Sequence, residues 1–378
     1  MKPFFELQAL CPVTGARAGR IHTDHGTVPT PNFMPVGTQA TVKTLSPMQL
    51  EEIGADIVLA NTYHLYLRPG TDLIDEAGGI HRFMSWKRPV LTDSGGFQVY
   101  SLSDLNRIRE EGVEFRSHLD GSSHFLTPEN IVEAQAKIGA DIIMPLDECM
   151  PWPVEKRYAE DSTDRTSRWA LRCRDALGPV FRHHDYRQFL FGIVQGSTFE
   201  DLRRRNAAEL VEMDFPGYAI GGLAVGEPKR QMLDLAELCA GLLPAEKPRY
   251  LMGVGFPEDL IRSVERGVDV FDCVMPTRNA RKGTLFTREG RLVVKNAAFA
   301  RDSSPVDARC GCPTCRRFSR SYLRHLLHVK ELLGMQLASL HNLYFYLDLM
   351  RELREAILEG RFPQFRDDFF RDYRMASD

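Results

Sequence analysis

Short apolar runs recur along the chain at intervals that leave room for one helix between each pair. Two are near copies, Ile53-Gly-Ala-Asp-Ile-Val-Leu59 and Ile138-Gly-Ala-Asp-Ile-Ile-Met144. In each, a helical pattern ends at a glycine, which readily takes the left-handed conformation of a helix C-cap, and a β-branched run follows. Each is therefore a helix-to-strand junction. Further apolar runs at 33–36, 89–92, 189–194, 218–220, 250–254 and 268–274 bring the predicted strands to eight. The best-marked helix opens with Thr127 as N-cap and Pro128 at the first helical position, and buries Ile131, Val132, Ala134 and Ile138.

Eight apolar strands alternating with helices predict an α/β chain folded as a closed (β/α)8 TIM barrel rather than an open doubly wound sheet. No glycine-rich dinucleotide fingerprint opens a strand-to-helix turn, which counts against the open sheet. In a barrel, chemistry sits at the C-terminal strand ends. Here those ends carry Asn61, Asp93-Ser-Gly-Gly96, Asp147-Glu-Cys149, Gln195-Gly196, Gly221-Gly-Leu-Ala-Val-Gly-Glu227, Met252-Gly253 and Asp272. The stretch from Asp93 to Ile138 exceeds what one helix needs. Alternation over 113–125 around Asp120-Gly121 marks an inserted hairpin over the barrel mouth. The predicted division is a barrel core with an N-terminal extension over 1–285, a subdomain over 286–345 that contains a cysteine cluster, and a C-terminal helical segment over 346–378 packing back on the barrel.

Composition narrows the setting. The chain has 378 residues, 43% hydrophobic and 26% charged, enough to bury a sizeable core. No window approaches the roughly 18 uninterrupted apolar residues of a membrane helix, so the expectation is a cytoplasmic protein without a membrane partner. A net charge of −3 neither demands nor excludes nucleic acid, because electrostatic footprints are local.

The eight cysteines are too dilute for a disulfide scaffold, yet three fall in Cys310-Gly-Cys-Pro-Thr-Cys315. Three thiolates and one imidazole make a closed tetrahedral Zn2+ shell, which is structural rather than catalytic. The histidine can be His341, His325 or His328. The basic, aromatic run from Arg316 to Lys330 suits either a nucleic-acid backbone or a partner surface.

Asp93, Asp147 and Asp272 each end an apolar strand. Asp272 interrupts the run Val268-Asp-Val-Phe-Asp-Cys-Val-Met275 just before Arg278, Arg281 and Lys282. Burying an unpaired carboxylate costs several kcal/mol, so its place calls for a reason. Two carboxylates flanking a sugar C1′ can cleave a glycosidic bond, one as nucleophile and one as acid and base. The bland alternative is helix capping, since Asp93 and Asp272 both lie near turns.

Taken together, Asp93-Ser-Gly-Gly-Phe-Gln98, Asp147-Glu-Cys149, Gln195-Gly196, the loop 221–227, Asp272-Cys-Val-Met-Pro-Thr-Arg278 and the cysteines with His341 resemble, in order and spacing, the tRNA-guanine transglycosylases of bacterial type. The resemblance implies a TIM barrel carrying one structural Zn2+ on Cys310, Cys312, Cys315 and His341. It implies exchange of guanine at wobble position 34 of the G-U-N anticodon tRNAs for Asp, Asn, His and Tyr, a step of queuosine biosynthesis. Asp272 would be the nucleophile on C1′ and Asp93 the acid/base partner. Asp147, Ser94, Gln195, Gly222 and Leu223 would read the base, Phe97 and Met252 would sandwich it, and Asn61 and Gln98 would orient Asp93. Thr277, Arg278 and Arg281 would hold the anticodon loop. Cys149 with Val225 favours 7-aminomethyl-7-deazaguanine (preQ1) over the bulkier queuine. The family's homodimer implies an interface on Phe318, Tyr322, His325 and Leu326, although many members carry tryptophan where Phe318 stands. Two rivals are a zinc-dependent hydrolase on the same barrel, which lacks the histidine sets it needs, and a non-catalytic RNA-binding subunit, which would not need both Asp93 and Asp272.

Overall fold

The computed structural model describes residues 3–96, 98 and 106–374. A parallel strand forms at each of the eight predicted runs. One sheet orders Gln188–Leu190, Ile142–Ile143, Val90–Asp93 and Val58–Asn61, with Val180–Phe181 added antiparallel at its edge. The other orders Gly192–Val194, Tyr218–Ile220, Arg249–Leu251, Val270–Asp272 and Asn32–Met34. At one margin only Phe191 separates Gln188–Leu190 from Gly192–Val194, and its N–H donates to Ile143 O at 3.1 Å. At the other margin Val36 bridges Leu59 in parallel, and Leu59 N donates to Pro35 O at 3.0 Å. The last strand is shorter than the run that predicts it, because Asp272 ends the ladder and Met275–Lys282 turns helical.

Side chains alternate between two cores, as the period of a strand requires. Leu91, Ile142, Phe191, Ile193, Ala219, Tyr250 and Val270 share one apolar cluster with Met34, Val36, Ile57 and Leu59. Their neighbours Phe33, Val58, Val90, Ile143, Leu190, Ile220, Leu251 and Phe271 belong to a larger cluster filled out by the helices. Parallel strands buried on both faces read as continuous apolar runs, which is why the sequence exposes them. The alternation carries forward: Asp93, Gln195 and Asp272 lie two residues beyond Leu91, Ile193 and Val270, on the same face.

The Gly-Ala-Asp repeat serves the opposite end. Asp56 and Asp141, and Asp269 in Gly267-Val-Asp269, each precede a strand and tie down the antiparallel N-terminal sheet Phe5–Leu10, Arg17–Thr23 and Gly26–Thr30 or its exit. Asp269 Oδ1 accepts from Arg17 Nε at 2.9 Å, Asp141 Oδ1 pairs with His25 Nδ1 at 2.8 Å, and Asp56 Oδ2 accepts from Asn32 Nδ2 at 3.0 Å. Asp141 and Asp269 also accept a backbone N–H from the neighbouring strand, Val90 at 2.9 Å and Arg249 at 2.7 Å. Phe5, Ile21 and Val28 of this sheet join the inner cluster and close its lower end.

The insertion is a three-stranded antiparallel sheet, Asn106–Ile108, Val113–Arg116 and Ser123–Leu126, one strand more than the predicted hairpin. The helix Leu332–Leu358 spans 27 residues and runs unbroken through 345, where a subdomain edge was expected. Asn342 on it accepts from Phe286 N at 3.0 Å and donates to Pro276 O at 2.9 Å, so one helix serves both the cysteine region and the helix Met275–Lys282. The last helix, Phe362–Asp372, buries Phe362 and Phe369 in the larger core. Among the described residues, no helix is long and apolar enough to cross a membrane.

Candidate active site and metal centre

Asp93 ends its strand with a dense set of donors. Asn61 Nδ2 and Gln98 Nε2 donate to Oδ2 at 2.6 and 2.8 Å, and Thr62 N donates to Oδ1 at 2.9 Å. Burial drives its carboxyl pKa up to about 6 against these donors, and the charge of Asp272 adds to the rise. Asp272 is raised too, by burial, while Tyr250 Oη and Gly253 N donate to its Oδ1 at 2.6 and 2.9 Å. Asp93 thus also takes the first amide of the helix Thr62–Leu67, whereas the helix after Asp272, Met275–Lys282, has no side-chain cap.

Asp147 lies past the end of the strand Ile142–Ile143, which pairs with the strand of Asp93. Ser94 Oγ donates to its Oδ1 at 2.9 Å and Gln195 Nε2 to its Oδ2 at 2.8 Å, and burial raises its pKa. Gln195 Oε1 is buried without a hydrogen-bond partner among the described residues, an acceptor open to a ligand N–H. Close approach explains two glycines. A Cβ on Gly96 would lie 2.6 Å from Asp147 O, and one on Gly222, whose φ is +62°, would lie 2.2 Å from Gln195 Oε1. Leu223 is buried beside Gly222, and Val225 and Met252 are half-buried. Glu227 Oε2 accepts from Val225 N at 3.0 Å, which holds that loop in place. Burial pushes the Cys149 thiol up to about 12, so it stays a neutral wall group. Glu148 points elsewhere, into Tyr158 and Arg165.

Three supporting groups escaped the sequence reading: Thr62 on Asp93, Tyr250 on Asp272, and Arg203. Arg203 is fully buried and donates to Gly221 O at 3.1 Å and Gly222 O at 3.3 Å, which braces the glycine turn. Tyr250 could have been found two residues before Met252 on one strand face; nothing local marks Arg203.

Cys310, Cys312, Cys315 and His341 converge, with ligand atoms all within 4.8 Å of one another. The three sulfurs lie 3.7, 3.5 and 3.3 Å from His341 Nδ1. His341 Nε2 meets Phe286 O at 2.8 Å, which selects the tautomer that leaves Nδ1 free to bind a metal. His325 and His328 are exposed and point away, so His341 is the fourth member. Three soft sulfurs and one imidazole fit a closed tetrahedral ion.

A family model described as Queuine tRNA-ribosyltransferase matches residues 11–375. The chain belongs to the queuine tRNA-ribosyltransferase family. Proteins named Queuine tRNA-ribosyltransferase from Pelotomaculum thermopropionicum and Lysinibacillus sphaericus are 59% and 58% identical to it over 361 and 369 residues, covering 96% and 98% of this chain and 96% of each relative. One from Symbiobacterium thermophilum is 58% identical over 97% of this chain and 90% of its own. The resemblance read from the motifs is therefore a family membership.

The remaining predicted residues of this family member fall as follows. Arg278 is exposed and Arg281 half-buried on the helix Met275–Lys282, just past Asp272, while Thr277 faces inward and donates to Val274 O at 3.2 Å. Phe97 lies outside the described residues.

Proposed function

We propose that this chain is a tRNA-guanine transglycosylase that exchanges guanine at position 34 of G-U-N anticodon tRNAs for preQ1, within the cytoplasm where its RNA substrate resides. One observation carries the assignment: two carboxylates, Asp93 buried and Asp272 partly exposed, lie on one strand face, the charge of Asp272 helps to raise the Asp93 pKa, and each has its own set of donors. Among the described residues both donors to Asp272 take Oδ1, so Oδ2 is offered to C1′. Asp272 attacks C1′, the bond from C1′ to the base nitrogen breaks, and guanine leaves with a proton given by Asp93 while the RNA stays joined to the Asp272 carboxylate. The incoming base gives its proton to Asp93, poised near neutral pH, and its nitrogen displaces Asp272 from C1′. Asp147, Ser94, Gln195 and the backbone at Gly222 and Leu223 read the base, with Met252 and Phe97 as its stacking walls. Cys149 and Val225 bound the space for the 7-substituent, which favours preQ1. Arg278 and Arg281 hold the flanking phosphates, and Thr277 anchors their helix.

The two sheets are read as one closed eight-stranded barrel, with support from the hydrogen bonds at both margins and from the shared inner cluster. The cysteine centre is read as holding a structural Zn2+, and the chain as a homodimer through Phe318, Tyr322, His325 and Leu326; exposed Tyr322 stacks on Phe318 with centroids 5.6 Å apart. Residues 1–285, 286–345 and 346–378 are its working divisions. Mixing the protein with tRNA bearing G34, then denaturing, should give a protein–RNA band that Asp272→Asn abolishes. No band from the unmutated protein while guanine exchange proceeds would remove the nucleophile.

A further inference from the structure

Three tryptophans occur in the chain, and Trp86 and Trp169 are fully buried. Trp152 is 38% exposed, three residues past Cys149 at the site's rim. A Cβ on Gly226 would lie 3.6 Å from its Cε3, so one edge of the indole rests on the loop that carries Val225 while the rest faces solvent. Tyr158, 45% exposed, stands six residues on and donates its hydroxyl to Glu148, between Asp147 and Cys149. Of the exposed aromatic rings among the described residues, these two share one short segment beside the base pocket.

The charges beside them suit an anion. Lys156 and Arg157 occupy the first turn of the helix Lys156–Leu177, next to the exposed N-cap residue Glu155, whose side chain makes no capping bond. Cations at a helix N-terminus oppose the dipole, and here carboxylates lie beside them. Lys156 finds Asp201 at 2.7 Å; Arg157 is exposed.

We propose that Trp152 is a stacking platform for an unpaired base of the anticodon loop next to the exchanged nucleotide, with Arg157 facing that strand's phosphate. This rests on the transglycosylase reading and adds the RNA contact on the side of the pocket opposite the Asp272 helix. An indole face offers stacking to any base, and single-stranded RNA binds proteins largely through such faces combined with backbone charge.

Because the other two indoles are buried, acrylamide quenching of tryptophan fluorescence in the unmutated protein reports on Trp152. Saturating anticodon stem-loop RNA should lower the quenching constant about threefold, and free guanine should leave it unchanged. Trp152→Ala should raise KM for tRNA about tenfold, with KM for guanine moving less than about twofold, and Trp152→Phe should recover most of the loss. Unchanged quenching with RNA bound, or an alanine variant with unaltered KM for tRNA, overturns the platform while the covalent RNA band still upholds the transglycosylase reading. Shielding by guanine alone makes Trp152 a wall of the base pocket and likewise overturns it. Absence of both RNA binding and the band removes the reading and the platform together.

Discussion

Asn61 and Asp93 are register partners on adjacent parallel strands, and the Asn61 amide donates to Asp93 Oδ2 across 2.6 Å. The sheet itself thus aims the donor at the carboxylate. A hydrogen bond to a charged acceptor contributes about 1.5–3 kcal/mol. Asn61→Ala removes a donor that favours the ionised form, so the carboxyl pKa, already about 6, should rise further. If exchange needs the carboxylate, the acidic limb of the kcat–pH profile moves to higher pH by about one unit. An unmoved limb would mean that Asp93 is not the group that titrates.

Ionised Asp93 should weaken the fold. Its folded pKa of about 6 exceeds the ordinary 3.8, so its favourable contribution is complete at low pH and is lost as pH rises through about 6. Asp93→Asn removes that loss, and Gln98, whose Oε1 has no partner among the described residues, can turn to accept from the new amide. Denaturant unfolding at pH 8 should show a gain of about 1–3 kcal/mol that vanishes near pH 4. An equal difference at both pH values would contradict the ionisation account.

At the lower end the sign reverses. Burial would raise the Asp141 carboxyl, but hydrogen bonds from His25 and His81 outweigh it and leave the pKa low. Its stabilising contribution is present above the unfolded carboxylate pKa and is lost as pH falls through the lowered value. Asp141→Asn should cost about 2–4 kcal/mol at pH 7, and much less near pH 3. Activity per folded molecule should hold, because the residue lies at the far ends of the strands.

Gly222→Ala places a methyl group where Gln195 Oε1 now sits, at a positive φ that disfavours any side chain. Gln195 must retreat, and its bond to Asp147 is lost. We expect KM for the base to rise about tenfold or more, with KM for tRNA little changed. Equal effects on both would point to a general collapse of the loop.

Metal analysis should find one zinc per chain. Cys312→Ser should lose most of it and lower the unfolding temperature, whereas His325→Ala should retain it. Full retention by the serine variant would refute the ligand set. Chelation should loosen the small core of Leu285, Val306, Leu323 and Leu337 before the parallel strands.

Local pattern reaches far in this protein. The eight strand positions, Thr127 as a helix cap, the Asp120-Gly121 turn and the three cysteines are all set by neighbours in the chain, where periodicity and backbone preference act directly. The N-terminal sheet went unrecognised because polar residues interrupt its strands, so no continuous apolar run marks them. The edge expected at 345 fell inside a helix because the residues on either side are equally good helix formers.

What the sequence determined by itself is which residues are available at the strand ends, since alternation with period two places Asp93, Gln195 and Asp272 on the face of Leu91, Ile193 and Val270. What the tertiary structure decided is how those groups are tuned. Asp93 at about 6 is the balance of burial, three donors and a second carboxylate, drawn from strands far apart in the chain. His341 was chosen over His325 and His328 by the direction of a helix face. Burial and long-range hydrogen bonds depend on distances in space, and spacing along the chain does not encode them.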